Sequence, residues 1–197
     1  QTGMGGARYR ARGLFRVPGY DAARVRMDPS GKALVFVSHA TQGQGHLTAF
    51  AQVAAQELGI AFEDVTVIEG DTDLTPFGTG TFASRGVVTG GGAVLRASVK
   101  VREKIQRIAG HLLEAAPEDI VFEAGRFNVK GTDKAVTLKQ VAIASFNPMR
   151  LPKGFEGGLY ETATYAPPGE TFPNGCHVCA VEIDPDTGEV TLDRYAV

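Results

Sequence analysis

The order of apolar and polar positions divides the chain into short extended runs and two longer helical ones. Ala22 to Asp28, "AARVRMD", alternates, and Ala33 to His39, "ALVFVSH", resumes the extended pattern as a mostly apolar run. The turn "PSGK" (Pro29–Lys32) lies between them, so the pair predicts a β-hairpin. A glycine-rich stretch follows, and then Phe50, Val53, Ala54 and Leu58 recur at helical spacing until Gly59 stops them. Val65–Ile68 is a short apolar run, read as a strand ended by "EGDTD". From Thr72 to Gly92 the chain is rich in Gly, Thr and Pro without a regular period. Val94, Val101, Ile105, Ile108 and Leu112 then share one stripe, with Arg96, Lys100, Lys104 and Arg107 largely outside it. That pattern predicts an amphipathic helix of about six turns docked on a sheet.

"APED" (Ala116–Asp119) breaks this helix. Asp119–Phe122 and Arg126–Lys130 read as a hairpin, and Thr137 is placed to cap a short helix over Leu138–Ala144. The stretch 146–154, containing "NPMRLPKG", reads as a linker. The remainder is extended: Gly158–Tyr165, Cys176–Ile183, the turn "DPDTGE", and Val190–Tyr195. The expected fold class is α+β, with mixed β-sheets and two main helices packed on them. Residues 1–19 are expected to form a basic, glycine-rich lead-in and residues 20–197 one partial domain. The chain stops at Val197 within strand-like sequence, so it reads as a piece of something longer.

Composition narrows the function classes. The 197 residues are 43% hydrophobic and 21% charged, ordinary for a globular chain long enough to bury a core. A net charge of −2 gives no field that would draw nucleic acid or an acidic membrane. No apolar run approaches the length of about 18 residues that a membrane-spanning helix needs. Two cysteines are too few for a disulfide framework, which points to a reducing cytoplasm.

Four groups of residues could carry chemistry. "GQGH" (Gly43–His46) sits between a strand and a helix start, an arrangement in which first-turn N–H groups can meet an anion. It is neither a dinucleotide fingerprint nor a phosphate-binding P-loop, so a tight, polar-capped turn is the other reading. "GTGTFASRGVVTGGG" (Gly78–Gly92) is longer than a connection needs to be. Ser84, Arg85 and nearby amides could grip a phosphate or a polar heterocycle. Two such loops, each feeding a helix, would make a cradle if the helices lie side by side. "CHVC" (Cys176–Cys179) has the spacing of half a zinc site, but no second pair exists. In an alternating strand its two cysteines face opposite ways and read as small buried residues. Glu69, Asp71 and Asp73 could hold a divalent ion, but no partner His or Glu falls at a telling spacing, and a solvated turn is the favoured reading. None of these groups offers an identifiable acid, base or nucleophile.

The ordered pair of glycine-rich loops resembles the molybdenum-cofactor-binding subunit of the xanthine dehydrogenase / aldehyde oxidase family. Within it the chain looks most like bacterial carbon monoxide dehydrogenase large subunits. The matching segments are "TQGQGHLTAFAQVAAQELGI", "VTVIEGDTDLTPFGTGTFASRG", "HLLEAAPEDIVFEAGRF" and "PDTGEVTLDRYAV", which together run from about Tyr20 onward.

The resemblance implies a portion of the second molybdenum-binding domain. It implies that Gly43, Gln44 and Gly45 lie against the pterin of a molybdopterin cofactor, flanked by Gln42 and His46. It assigns Ala83, Ser84, Arg85, Gly86 and Val87 to the second cofactor loop. It assigns neither a catalytic residue nor a metal ligand to this chain. The implied reaction is a hydroxylation, or the oxidation of carbon monoxide, with oxygen taken from water. The implied cofactor is molybdenum-molybdopterin in its cytosine dinucleotide form. The implied partners are the remainder of the molybdenum subunit and iron–sulfur and FAD modules, with a homo-oligomer also open.

Departures from the pattern are Leu47, where many relatives carry Glu, and Gly86, where they carry Ser. The family's glutamate base lies downstream of Val197 and its substrate-side loop upstream. The expectation is therefore a chain that is inactive alone. The alternatives are a non-catalytic binding or assembly domain that keeps the fold without the cofactor, and an unrelated nucleotide-binding protein.

Overall fold

The computed structural model describes residues 19–197 except 124, 170 and 173; the lead-in expected over residues 1–19 lies, apart from Gly19, outside the described residues. Strands β1 (Asp21–Met27) and β2 (Ala33–Val37) form the expected hairpin, with Val25 opposite Val35. Helix α1 (His46–Leu58) then crosses over and returns the chain to β3 (Val65–Glu69), which pairs parallel to β2. Strand β7 (Leu159–Tyr165) adds antiparallel to the other side of β1. The result is a four-stranded mixed sheet in the order β3-β2-β1-β7. Its two-residue periodicity sets the core: Ala23, Val25 and Met27 from β1, and Ala33, Val35 and Val37 from β2, are buried on one face.

That face is covered by α1 and by the long helix α2 (Gly92–Leu113). The predicted stripe of α2 is the buried one, with Val94, Val101, Ile105 and Ile108 in the core. Phe50 and Ala54 of α1 meet Ala93 and Ala97 of α2 in the same cluster, so the two helices lie side by side. Small residues at these positions allow the close approach. The cations left outside the stripe guard the sheet edge: Arg96 Nη1 donates to the Thr164 carbonyl at 3.2 Å and Lys100 Nζ to that of Thr162 at 3.0 Å. Edge carbonyls capped in this way cannot template another strand.

A smaller antiparallel sheet, β4 (Ile120–Glu123), β5 (Arg126–Val129) and β6 (Ala135–Thr137), packs with helix α3 (Leu138–Ala144) beyond the end of α2. Thr137 caps α3 in a capping box: its hydroxyl accepts from Gln140 N, and the Gln140 side chain accepts from Thr137 N at 2.8 Å. The stretch 146–154 contains a short turn, Pro148–Arg150, capped by the Asn147 side chain, and buries Leu151.

Strands β8 (Val178–Ile183) and β9 (Val190–Ala196) pair with each other as a separate two-stranded hairpin. Here one expectation is corrected. Cys176 and Cys179 are both exposed, not buried. Cys176 precedes the strand, and both faces of the hairpin are open along its whole length.

Candidate functional site

The site grows from the ends of adjacent strands. In β1 the inward positions are 21, 23, 25 and 27, and in β2 the inward phase runs 33, 35, 37 and on to 39. The register that pairs Ala23 with Val37 places Asp21 and His39 together one step further on. Both are fully buried, which for an aspartate is rare unless it is paired.

The partner is Arg85, from the second glycine-rich loop. Its Nη2 forms an ion pair with Asp21 Oδ2, and its Nη1 donates to the Gly80 carbonyl at 2.8 Å. Asp21 Oδ1 accepts from Thr79 N at 2.9 Å and from Ser38 Oγ at 3.3 Å. A single carboxylate therefore ties both ends of the second loop to the sheet. A Cβ on Gly78 would run into Ser38 Oγ and Asp21 Oδ1, so only glycine lets the loop come this close.

Between these ties the backbone takes an unusual course. Ala83 and Ser84 both hold positive φ, 50° and 57°. That conformation costs an L-residue about 1–2 kcal/mol and persists only where the surroundings enforce it. The stretch expected as loop up to Gly92 is in part helical: Gly86–Gly91 form a π-helical turn that runs straight into α2. Thr89 in that turn donates from Oγ1 to the Arg85 carbonyl at 2.9 Å and lies 3.4 Å from His39 Nε2. Since the Thr89 proton is spent on Arg85, the His39 proton is assigned to Nε2, donating toward Thr89 and Asp21. His39 Nδ1 is left bare against the Cα of Gly90.

Burial pushes His39 down to about 4, aided by the positive charge of Arg85 and by His46, and opposed by Asp21. Burial also lowers His46, against the pull of Glu69. Both imidazoles are therefore neutral at pH 7. The His46 ring stacks on Phe50 with centroids 5.0 Å apart, and His39 meets it edge-on at 5.9 Å.

The first loop is closed mainly by its own groups. Gln44 Oε1 accepts from Gln42 N and, at 3.4 Å, from Thr41 Oγ1, while Thr41 N donates to Glu69 Oε1 at 2.8 Å. Gly43 and Gly45 hold φ of +101° and +77°, and a Cβ at either would meet open space. Backbone conformation, not crowding, calls for glycine there. No side chain among the described residues caps the start of α1, so its first-turn amides stay open toward the loop. Thr81 Oγ1 ties the second loop to the first by donating to the Ala40 carbonyl at 2.7 Å.

The two loops line one cavity of about 390 Å³. Its walls are Gln42, Gln44 and His46 from the first loop and Thr81 to Val87 from the second. Eight of the ten residues singled out from the sequence, all but Gly43 and Gly45, are on that wall. The Arg85 guanidinium, however, turns inward to Asp21 and Gly80 and away from a grip on a bound anion. The acidic trio does not converge. Asp71 Oδ1 accepts from Asp73 N and Leu74 N in its own turn, and Glu69 serves Thr41. Among the described residues no group of three or more His, Cys, Asp or Glu is placed to hold a metal ion.

The family model for the molybdopterin cofactor-binding domain matches residues 2–197. The chain belongs to that family. The carbon monoxide dehydrogenase large chain of Afipia carboxidovorans is 40% identical over 183 residues, 92% of this chain and 22% of the relative. The nicotine 6-hydroxylase large subunit of Paenarthrobacter nicotinovorans is 40% identical over 181 residues, 90% of this chain and 22% of the relative. Among solved structures, reconstituted CO dehydrogenase from Oligotropha carboxidovorans superimposes with a TM-score of 0.77 at 40% identity. Quinoline 2-oxidoreductase from Pseudomonas putida 86 does so at 0.75 and 44%. Each superposition covers 89% of this chain and 22% of the other. The chain thus spans about a fifth of the length of the relatives it matches, and its fold is that of a molybdopterin-binding domain of the xanthine dehydrogenase type. No described helix is long and apolar enough to cross a membrane.

Three buried residues that support the wall of this cavity are not singled out by the sequence: Asp21, His39 and Thr89. The first two carried a readable signal, because each continues the inward phase of its strand. Thr89 carried none, since nothing in its neighbourhood announces a π-helical turn.

Proposed function

We propose that this chain forms the portion of a molybdenum hydroxylase that cradles the cofactor. The observation that carries the reading is the convergence of both glycine-rich loops on one cavity at the start of α1. The residues fit an elongated, anionic, heterocyclic ligand. Open first-turn amides and the positive-φ glycines 43 and 45 suit an anionic group. Gln42, Gln44 and the Ser84 region offer polar atoms to a pterin, and Phe82 and Val87 supply apolar wall. In this reading Gln42, Gly43, Gln44, Gly45, His46 and Ala83–Val87 hold the cofactor, and its form is the cytosine dinucleotide.

When bound, the molybdenum centre supplies the redox chemistry of hydroxylation. This chain binds and orients it, while the base and the substrate pocket come from the rest of the subunit. Electrons leave through iron–sulfur and FAD partners, and the assembly works in the cytoplasm. The isolated 197 residues are accordingly inactive. Molybdenum, pterin and cytidine analysis of the complete subunit tests this, beside turnover assays of the piece alone. Equimolar molybdenum, pterin and cytidine in the subunit, with none of the turnover in the piece, is the expected result. Molybdenum-dependent turnover by the piece alone would refute it. A folded complete subunit without cofactor would favour the second reading, a non-catalytic assembly domain, to which Gly86 and Leu47 lend their departures from the common pattern.

A further inference from the structure

We propose that Asp21 is a positioning residue that sets the shape of the second cofactor loop from beneath, with Arg85 acting as its counter-ion and not as a grip on the ligand's charge. This rests on the cofactor reading for what the loop holds, but not for how the loop is held. Asp21 does not line the cavity. It nevertheless reaches both ends of the loop: Thr79 N at one end and the Arg85 guanidinium at the other.

Arg85 in turn bridges Asp21 and the Gly80 carbonyl with two different nitrogens of its planar fork. Lysine, a compact point charge on a flexible stem, lacks the rigid fork that holds both contacts in one plane. The left-handed residues Ala83 and Ser84 stand immediately before Arg85. Strained backbone of this kind relaxes when its anchor is released. The Arg85 side chain is only 1% exposed and Asp21 is 0% exposed, so water cannot replace either partner. Because the guanidinium's charge is already met, the cradle reads its ligand through amides, hydroxyls and neutral side chains.

Hydrogen exchange and cofactor retention in the complete subunit test this together. In Asp21→Asn, the amides of Thr79, Arg85 and Thr89 are expected to lose protection by about tenfold or more, while those of Val25 and Val35 in the sheet keep theirs. Cofactor retention is expected to fall with them. Arg85→Lys should behave like Asp21→Asn, although it keeps the charge. If either single variant does not fold, Asp21→Asn/Arg85→Gln removes both charges together and is expected to show the same local loss. Protection lost equally from loop and sheet would reduce Asp21 to a general stabiliser and overturn the proposal. So would full cofactor retention by Asp21→Asn, or rescue of retention by Arg85→Lys, which would mark the charge itself as the ligand contact. If the parent subunit holds no cofactor, the cofactor reading fails, and the exchange pattern alone still decides whether Asp21 positions the loop.

Discussion

The Nε2 atom of His46 occupies the space into which a side chain on Gly86 would have to grow. The two residues belong to different loops, so this contact sets how closely the loops approach over the cavity. It also gives a physical reason for a glycine at position 86. Gly86→Ala is expected to push the His46 ring off Phe50 and to cost about 1–3 kcal/mol of stability, the usual range for overpacking. Chemical denaturation checks this. Combining it with His46→Ala should recover part of the loss, because the obstructing ring is gone.

Stability should depend on pH in a defined window. His39 falls from 6.5 to about 4 in the folded chain, beside Asp21, His46 and Thr89 and under the positive charge of Arg85. Above pH 6.5 the ring is neutral in both folded and unfolded states, and its contribution is fully present. As pH falls from 6.5 toward 4 the unfolded chain takes up the proton first, so stability declines, by about 3 kcal/mol in all by linkage. His46 acts in the same direction. Denaturation midpoints between about pH 7.5 and 3.5 span the transition and measure the slope, and His39→Asn should flatten it.

Phe50 supports the site from the core. It is fully buried beneath the His46 ring, at the meeting of α1 and α2. Phe50→Ala is expected to cost about 3–5 kcal/mol. Thr137→Ala, which removes the capping box of α3, should cost only about 1 kcal/mol and leave cofactor binding untouched. Thermal melts with cofactor analysis separate the two.

Much of this architecture was legible in the sequence because its elements obey simple periods. The strand phases of β1 and β2, the stripe of α2, the Gly59 stop and the Thr137 cap each follow from neighbours a few residues away. The two loops were also legible as a pair, because each carries its glycines just before a helix. What was not legible depends on contacts across the chain. Arg85 reads as an exposed anion grip until Asp21, 64 positions earlier in the numbering, is seen opposite it. The exposed cysteines were misjudged because alternation in β8 implies a buried face, and nothing local says whether another layer covers it.

That hairpin has its own consequence. Cys179, Val181 and Ile183 share a face with Val190, Leu192 and Tyr195, and a register shift between Ala180 and Val181 keeps Tyr195 in phase with them. The face is open: Val181 is 51% and Leu192 60% exposed. Contiguous apolar surface of this kind promotes association. Val181→Lys/Leu192→Lys is expected to reduce self-association of the 197-residue chain in sedimentation, with stability changed by no more than about 0.5 kcal/mol.

The central claim, that the two loops form the molybdopterin cradle, is tested most directly by the cofactor content of the complete subunit carrying Gly43→Ala and Gly45→Ala. Both positions have open space for a methyl group but a φ that alanine resists, so the substitutions reshape the first loop without crowding the core. The account predicts equimolar molybdenum and pterin in the parent subunit and a several-fold loss in the variant, with the melting transition kept. Full cofactor content in the folded variant would contradict it.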